Sequence, residues 1–323
     1  MTFTSNLKFF LATLILASGA TWGANLLGQG LEEIFLGREL SLNPKVLAAE
    51  AGQMELAQLV RDAKPFRDNT SGEPKIEAKA VIAILLNNQG GGKILFEKNP
   101  DDSLPIASLS KLMTLDVILK NYDLTKEIII TKEAVAQDEN FGKLRVGDVL
   151  TVEQLLYPLL MESSNDAAWA LTNDYDGFGE RVFVNMMNED AQSLGLNNTY
   201  FINSSGLDPE EGESKEKINV SSARDLAQLA KHLLKTPLVW EILSTPKINL
   251  YGETLVSTNK LLGVVPGIIG GKTGYTDTAL GCFVLVVEAP EGKGRIVNVI
   301  LGAQDRFSEM EKLINWTNKA YNW

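Results

Sequence analysis

A serine and a lysine three residues apart on one helical turn can form a hydrolytic pair without histidine, because a neutral lysine amine can take the serine proton. The pattern Ser-x-x-Lys starts at Ser5, Ser108, Ser214, Ser244 and Ser257, so the pattern alone decides nothing. Position does. Only Ser108 opens a convincing helical run, Ser108 to Leu119, with the breaker Pro105 just before it. The free N–H groups and the dipole at such a helix start favour the negative charge of a tetrahedral intermediate. Lys111 has to be neutral to accept the proton, a state that burial and a second cation nearby would both favour. Standing alone, a capping serine followed by a surface lysine would be the stronger reading.

Two further patterns accompany it. Ser-x-Asn, a hydroxyl to relay a proton and an amide to hold a substrate, occurs at Ser41, Ser163 and Ser257. Ser163-Ser164-Asn165 follows one helical run and precedes another, which places it in a turn, where a plain helix cap is the competing reading. Lys-Thr-Gly occurs once, as Lys272-Thr273-Gly274, and is expected at the head of a strand. Lys272 can supply a cation, Thr273 a hydroxyl for a substrate carboxylate, and Gly274 bare backbone along which an extended peptide can lie.

The elements that must position these residues are legible in outline. The chain has 323 residues, 45% of them hydrophobic, enough to bury a substantial core. Its formal net charge of -11 repels phosphate backbones and argues against nucleic acid as a partner. One cysteine, Cys282, excludes an intrachain disulfide and a cysteine-ligated cluster, and one histidine, His232, excludes a multi-histidine zinc site. No metal and no cofactor is expected. His232 lies in the helical run 223 to 234 and reads as a helix-surface residue.

Residues 9 to 31 carry no charge, follow Lys8 and read as an export signal or a membrane anchor. The apolar heart, 9 to 17, has signal-peptide length with Ser18-Gly19-Ala20 as cleavage residues. The whole uncharged run is long enough to span a bilayer, and the anchor is the favoured alternative. Residues 32–77 read as a stalk or linker, and the folded domain as 78–323. Within it, Ala80 to Leu86 and Lys93 to Glu97 form a hairpin, and Gly281 to Val287 and Arg295 to Leu301 a second one. The span 112–235 is mainly helical, and Ser308 to Trp323 closes the chain as a helix. The order predicts an antiparallel sheet with flanking helices and an inserted helical lobe.

In this order Ala107-Ser108-Leu109-Ser110-Lys111-Leu112-Met113-Thr114, Ser163-Ser164-Asn165-Asp166-Ala167-Ala168 and Lys272-Thr273-Gly274-Tyr275-Thr276 resemble the serine-type D-alanyl-D-alanine carboxypeptidases, the low-molecular-mass penicillin-binding proteins. Ser205-Gly206-Leu207-Asp208, Ser222-Ala223-Arg224-Asp225 and Thr258-Asn259-Lys260 extend the likeness. It implies an α/β (α+β) penicillin-recognising serine-transferase fold and a peptidoglycan stem peptide ending in D-Ala-D-Ala as substrate. β-Lactams would be covalent inhibitors, and the domain would lie on the extracytoplasmic face of the membrane. It further implies Ser108 as the acylated nucleophile, Lys111 as its base, Ser163 as proton relay and Asn165 as a substrate contact. Lys272 and Thr273 would hold the terminal carboxylate, Gly274 would line the peptide path, and the N–H groups of Ser108 and Tyr275 would form the oxyanion hole.

Three alternatives stay open. A DD-endopeptidase or transpeptidase would use the same acyl-enzyme. A class A-like β-lactamase would need a deacylating glutamate some 35 residues after the Ser-x-Asn. The corresponding segment, Leu194 to Phe201, contains no carboxylate, and Glu189 and Asp190 lie upstream in a helical run. A catalytically silent wall-binding protein would have no need of Ser108, Lys111, Ser163 and Lys272 together.

Overall fold

The computed structural model describes residues 52–53, 65–68, 70–87, 91–138, 141–173, 179–209 and 218–323. Residues 9 to 31 and most of the 32–77 segment lie outside the described residues.

Five strands form the central sheet: β1 (Ala80–Leu86), β2 (Gly92–Lys98), β3 (Ile268–Thr276), β4 (Leu280–Glu288) and β5 (Arg295–Ala303). They are ordered β3-β4-β5-β1-β2, every neighbouring pair antiparallel. The near-continuous apolar runs in the sequence follow from a sheet covered on both faces. Along β1, Ala80 and Ile82 enter one core while Val81, Ala83 and Leu85 enter another. Val284 and Val286 against Phe283 and Leu285 on β4 repeat that period of two.

The first core is closed by the segment between β2 and β3. It contains α1 (Lys111–Asn121), α2 (Asn165–Asn173), α3 (Gly179–Ser193), α4 (Ala223–Leu233) and α5 (Pro237–Ser244). On α4, Leu226, Leu229, Ala230 and Leu233 repeat at helical spacing on the buried side, and the Ser222 side chain caps the start by accepting from the Asp225 N–H at 3.1 Å. The second core is closed by α6 (Arg306–Ala320), through Met310, Leu313 and Ile314.

Composition assigns residues 65–77 to the linker, yet they pack on the sheet domain. Phe66–Arg67 pairs with Tyr321–Asn322, so the closing helix ends at Ala320 and gives way to a short strand. Ile76 is buried, the Trp316 indole N–H donates to Gly72 O at 2.7 Å, and the Glu77 N–H donates to Glu309 Oε2 at 2.9 Å. A polar, turn-rich stretch reads as linker when its partners are too distant in sequence to be seen. Burying one isoleucine side chain contributes about 1.5–3 kcal/mol.

Candidate active site

Pro105 ends a two-residue strand, and the chain turns through a 3-10 segment, Ala107–Ser110, before α1 begins at Lys111. Ala107 has φ +49°, a conformation costly for a residue with a side chain. The turn is held from several sides. Ser110 Oγ donates to Ala107 O at 2.8 Å and accepts from Asn219 Nδ2 at 2.8 Å. Gly206, at φ +85°, packs so closely that a Cβ there would stand 2.0 Å from Ala107 O. At the end of this turn the i, i+3 spacing brings Lys111 Nζ to 3.0 Å from Ser108 Oγ. Lys111 is fully buried, and its Nζ also donates to Asn165 Oδ1 and Ser205 O, each at 2.7 Å.

Ser163 and Asn165 come from a helical interruption. The short helix Val152–Tyr157 starts with a capping box, Thr151 with Gln154, and widens into a π turn over Pro158–Glu162. Ser163 closes that turn in the left-handed region, φ 62° and ψ 32°. Ser164 then caps α2, accepting from the Ala167 N–H at 3.1 Å. Asn165 is the first residue of α2; its Nδ2 donates to Asp138 O at 2.8 Å while its Oδ1 holds Lys111.

Lys272-Thr273-Gly274 sits in the middle of β3, not at its head, and β3 is an edge strand. Lys272 stands opposite Val284, a residue of the helix-side core, so its side chain enters that side and donates to Ser163 Oγ at 2.7 Å and to Thr273 O at 2.8 Å. Burial, with the Lys111 and Arg306 cations beside it, holds the Lys272 ammonium well below the usual lysine range. Thr273 Oγ1 lies 2.7 Å from Thr258 Oγ1. A Cβ on Gly274 would come to 2.9 Å from Ile106 O and 3.1 Å from the Ser108 nitrogen, so only glycine lets β3 approach the Ser108 turn this closely.

A cleft of about 290 Å³ opens over these groups, lined by Ser108, Ser163, Thr273, Gly274 and Tyr275 together with Phe141, Glu162, Thr258 and Arg306. The geometry is that of a serine hydroxyl, an adjacent amine and two hydroxyl-bearing walls in one recess. Among the described residues no cluster of three or more His, Cys, Asp or Glu side chains could hold a metal.

A family model described as D-alanyl-D-alanine carboxypeptidase matches residues 67–305. The chain belongs to that family. The D-alanyl-D-alanine carboxypeptidase DacF of Bacillus subtilis is 33% identical over 258 residues, a match covering 76% of this chain and 63% of that protein. The D-alanyl-D-alanine endopeptidase of Pseudomonas aeruginosa is 31% identical over 258 residues, covering 76% of this chain and 80% of its own. Penicillin-binding protein D2 of Listeria monocytogenes, in its cefotaxime-bound form, superposes with a TM-score of 0.65 at 30% identity, covering 76% of this chain and 99% of that one. The chain thus spans less than two thirds of the Bacillus carboxypeptidase. The likeness to D2 places it in the penicillin-recognising α/β fold.

Within this family member the sequence reading leaves out Arg306, Glu162 and Phe141. Arg306 is the first residue of α6, with Asp305 as N-cap, and its guanidinium lies 5.9 Å from the Tyr275 ring and 4.8 Å from the Phe307 ring. Its Nε is buried without a hydrogen-bond partner, and burial lowers its pKa from the ordinary arginine value. A cation at a helix N-terminus opposes the dipole, and that local conflict is a signal the sequence offers. His232, expected on the helix surface, is half-buried with Nε2 3.0 Å from Asp116 Oδ1, at the middle of α1 and outside the cleft lining.

Proposed function

We propose that this chain is a serine-type D-alanyl-D-alanine carboxypeptidase that removes the terminal D-alanine from peptidoglycan stem peptides. The observation that carries the reading is the 3.0 Å approach of the buried Lys111 amine to Ser108 Oγ. With Lys111 neutral, that separation lets the Ser108 proton pass to Nζ as Oγ attacks the carbonyl between the two D-alanines. The N–H groups of Ser108 and Tyr275 meet the oxyanion. Ser163, bonded to Lys272, relays a proton to the departing amine. Lys272, Thr273 and Arg306 receive the terminal carboxylate, a ligand charge that favours the protonated form of Lys272. Asn165 holds the peptide amide, and Gly274 leaves room for the chain along the edge strand. Water then hydrolyses the ester at Ser108.

β-Lactams such as the cefotaxime bound by the Listeria relative enter the same cleft and acylate Ser108. Deacylation should be slow. Asp190 is engaged by Lys120 at 3.1 Å and Glu189 is exposed on α3, so neither stands as the deacylating base of a β-lactamase. Cleavage of a cross-link by the same acyl-enzyme is a second reading, supported by the similarity to the Pseudomonas endopeptidase. Such substrates lie outside the cytoplasmic membrane, which fits residues 9 to 31 as export signal or anchor. Among the described residues no helix is long and apolar enough to cross a membrane.

The test is to incubate the protein with a peptide ending in D-Ala-D-Ala and, separately, with penicillin. D-Alanine released in many turnovers, beside a stable penicilloyl adduct, is the expected result. Rapid penicillin hydrolysis without D-alanine release would replace the reading with β-lactamase.

A further inference from the structure

Among the described residues that line the cleft, Glu162 is the one carboxylate. It ends the π turn directly before Ser163. Its Oε1 accepts from the Val256 N–H at 2.9 Å, which fixes the side chain against the hairpin Lys247–Val256. Its Oε2 is buried and has no hydrogen-bond partner. The neighbouring cations are engaged elsewhere. Lys272 donates to Ser163 and Thr273, Arg145 pairs with Glu253, and Lys143 bonds Thr254 O. A buried carboxylate oxygen without a donor costs stability, and in a cleft whose other charged lining residue, Arg306, is positive it points to a ligand-recognition role.

We propose that Glu162 is a specificity residue that receives an amino group of the peptidoglycan peptide. The inference rests on the peptidase reading above and names the chemistry of its substrate. Carboxylate at the Lys272–Thr273–Arg306 wall and amino group at Glu162 match a molecule that carries both. The amino group has two sources. One is a cationic side chain of the donor peptide, ahead of the D-Ala-D-Ala pair. The other is an amine acceptor that takes the place of water. In that case its nitrogen bonds the acyl carbon as the bond to Ser108 Oγ breaks, and the proton it loses returns to Ser108 Oγ. Glu162 then orients the acceptor through an N–H bond.

The variant E162Q separates charge from structure, because the glutamine carbonyl still accepts from Val256 while the negative charge is gone. Thermal melting establishes that the variant is folded. D-Alanine release is measured from Lys-D-Ala-D-Ala peptides with the lysine side chain free or acetylated, and product partition is measured with added glycine as acceptor. A drop of about tenfold in the preference for the free-amine peptide assigns Glu162 to the donor; a similar drop in the ratio of glycine adduct to hydrolysis product assigns it to the acceptor. If neither ratio moves, the inference is overturned while the carboxypeptidase reading stands. If the wild-type protein releases no D-alanine from either peptide, both fall together.

Discussion

The first residue and the middle of α1 treat buried charge in opposite ways. At its start, Lys111 is wholly buried and donates to a hydroxyl, an amide oxygen and a backbone carbonyl, with the Lys272 amine close enough that the two repel as cations. Farther along, Asp116 is equally buried but bonds His232 at 3.0 Å and Lys120 at 2.7 Å, and Lys120 reaches on to Asp190. The second cluster sets a lysine between two carboxylates and ties α1 to α3 and α4. The first keeps like charges together, an arrangement that favours a neutral amine and serves chemistry at the expense of stability. A buried ionisable group whose neighbours fail to neutralise it costs stability, and at Lys111 we propose that this cost serves proton transfer.

The largest effect should come from Lys111→Arg, since a guanidinium cannot take the Ser108 proton. Acylation by penicillin should fall by about 100- to 10,000-fold, measured as the rate of covalent labelling. At the middle of the helix, Asp116→Ala leaves Lys120 and His232 without their shared carboxylate. It should cost about 2–4 kcal/mol in chemical denaturation while leaving labelling within about threefold. A loss of labelling larger than the loss of stability explains would erase the contrast between the two sites.

Asp166 sharpens the comparison with a smaller effect. It follows Asn165 in the first turn of α2, is fully buried, and both carboxylate oxygens lack a partner among the described residues. Burial raises its pKa from 3.8 to about 6. A carboxyl raised on folding contributes its stability below about pH 4 and loses it as the pH climbs through about 6. Asp166→Asn should therefore gain about 1–3 kcal/mol over the parent protein at pH 8 and almost nothing at pH 4, read from melting curves at both.

How much of this was legible in the sequence depended on the range of the interaction. Ser108 and Lys111 meet within one helical turn, so once the helix start after Pro105 singled out that serine, spacing brought the pair together. The short, near-continuous apolar runs of β1, β4 and β5 between turn residues identified the sheet strands, because that pattern is local too. Lys272 near Ser163 followed from family resemblance, since 109 residues separate them. Arg306 and Glu162 carried no local motif and entered the cleft only through tertiary packing. The attachment of residues 65–77 was hidden for the same reason, their partners lying at the far end of the chain.

The central claim is that Ser108 is the nucleophile. The most direct measurement is the intact mass of the protein after reaction with penicillin, followed by peptide mapping, for the parent and for Ser108→Ala. One penicilloyl group on the peptide containing Ser108, and no adduct on the variant, is the predicted result. An adduct that persists in Ser108→Ala, or that maps to another serine, would contradict it.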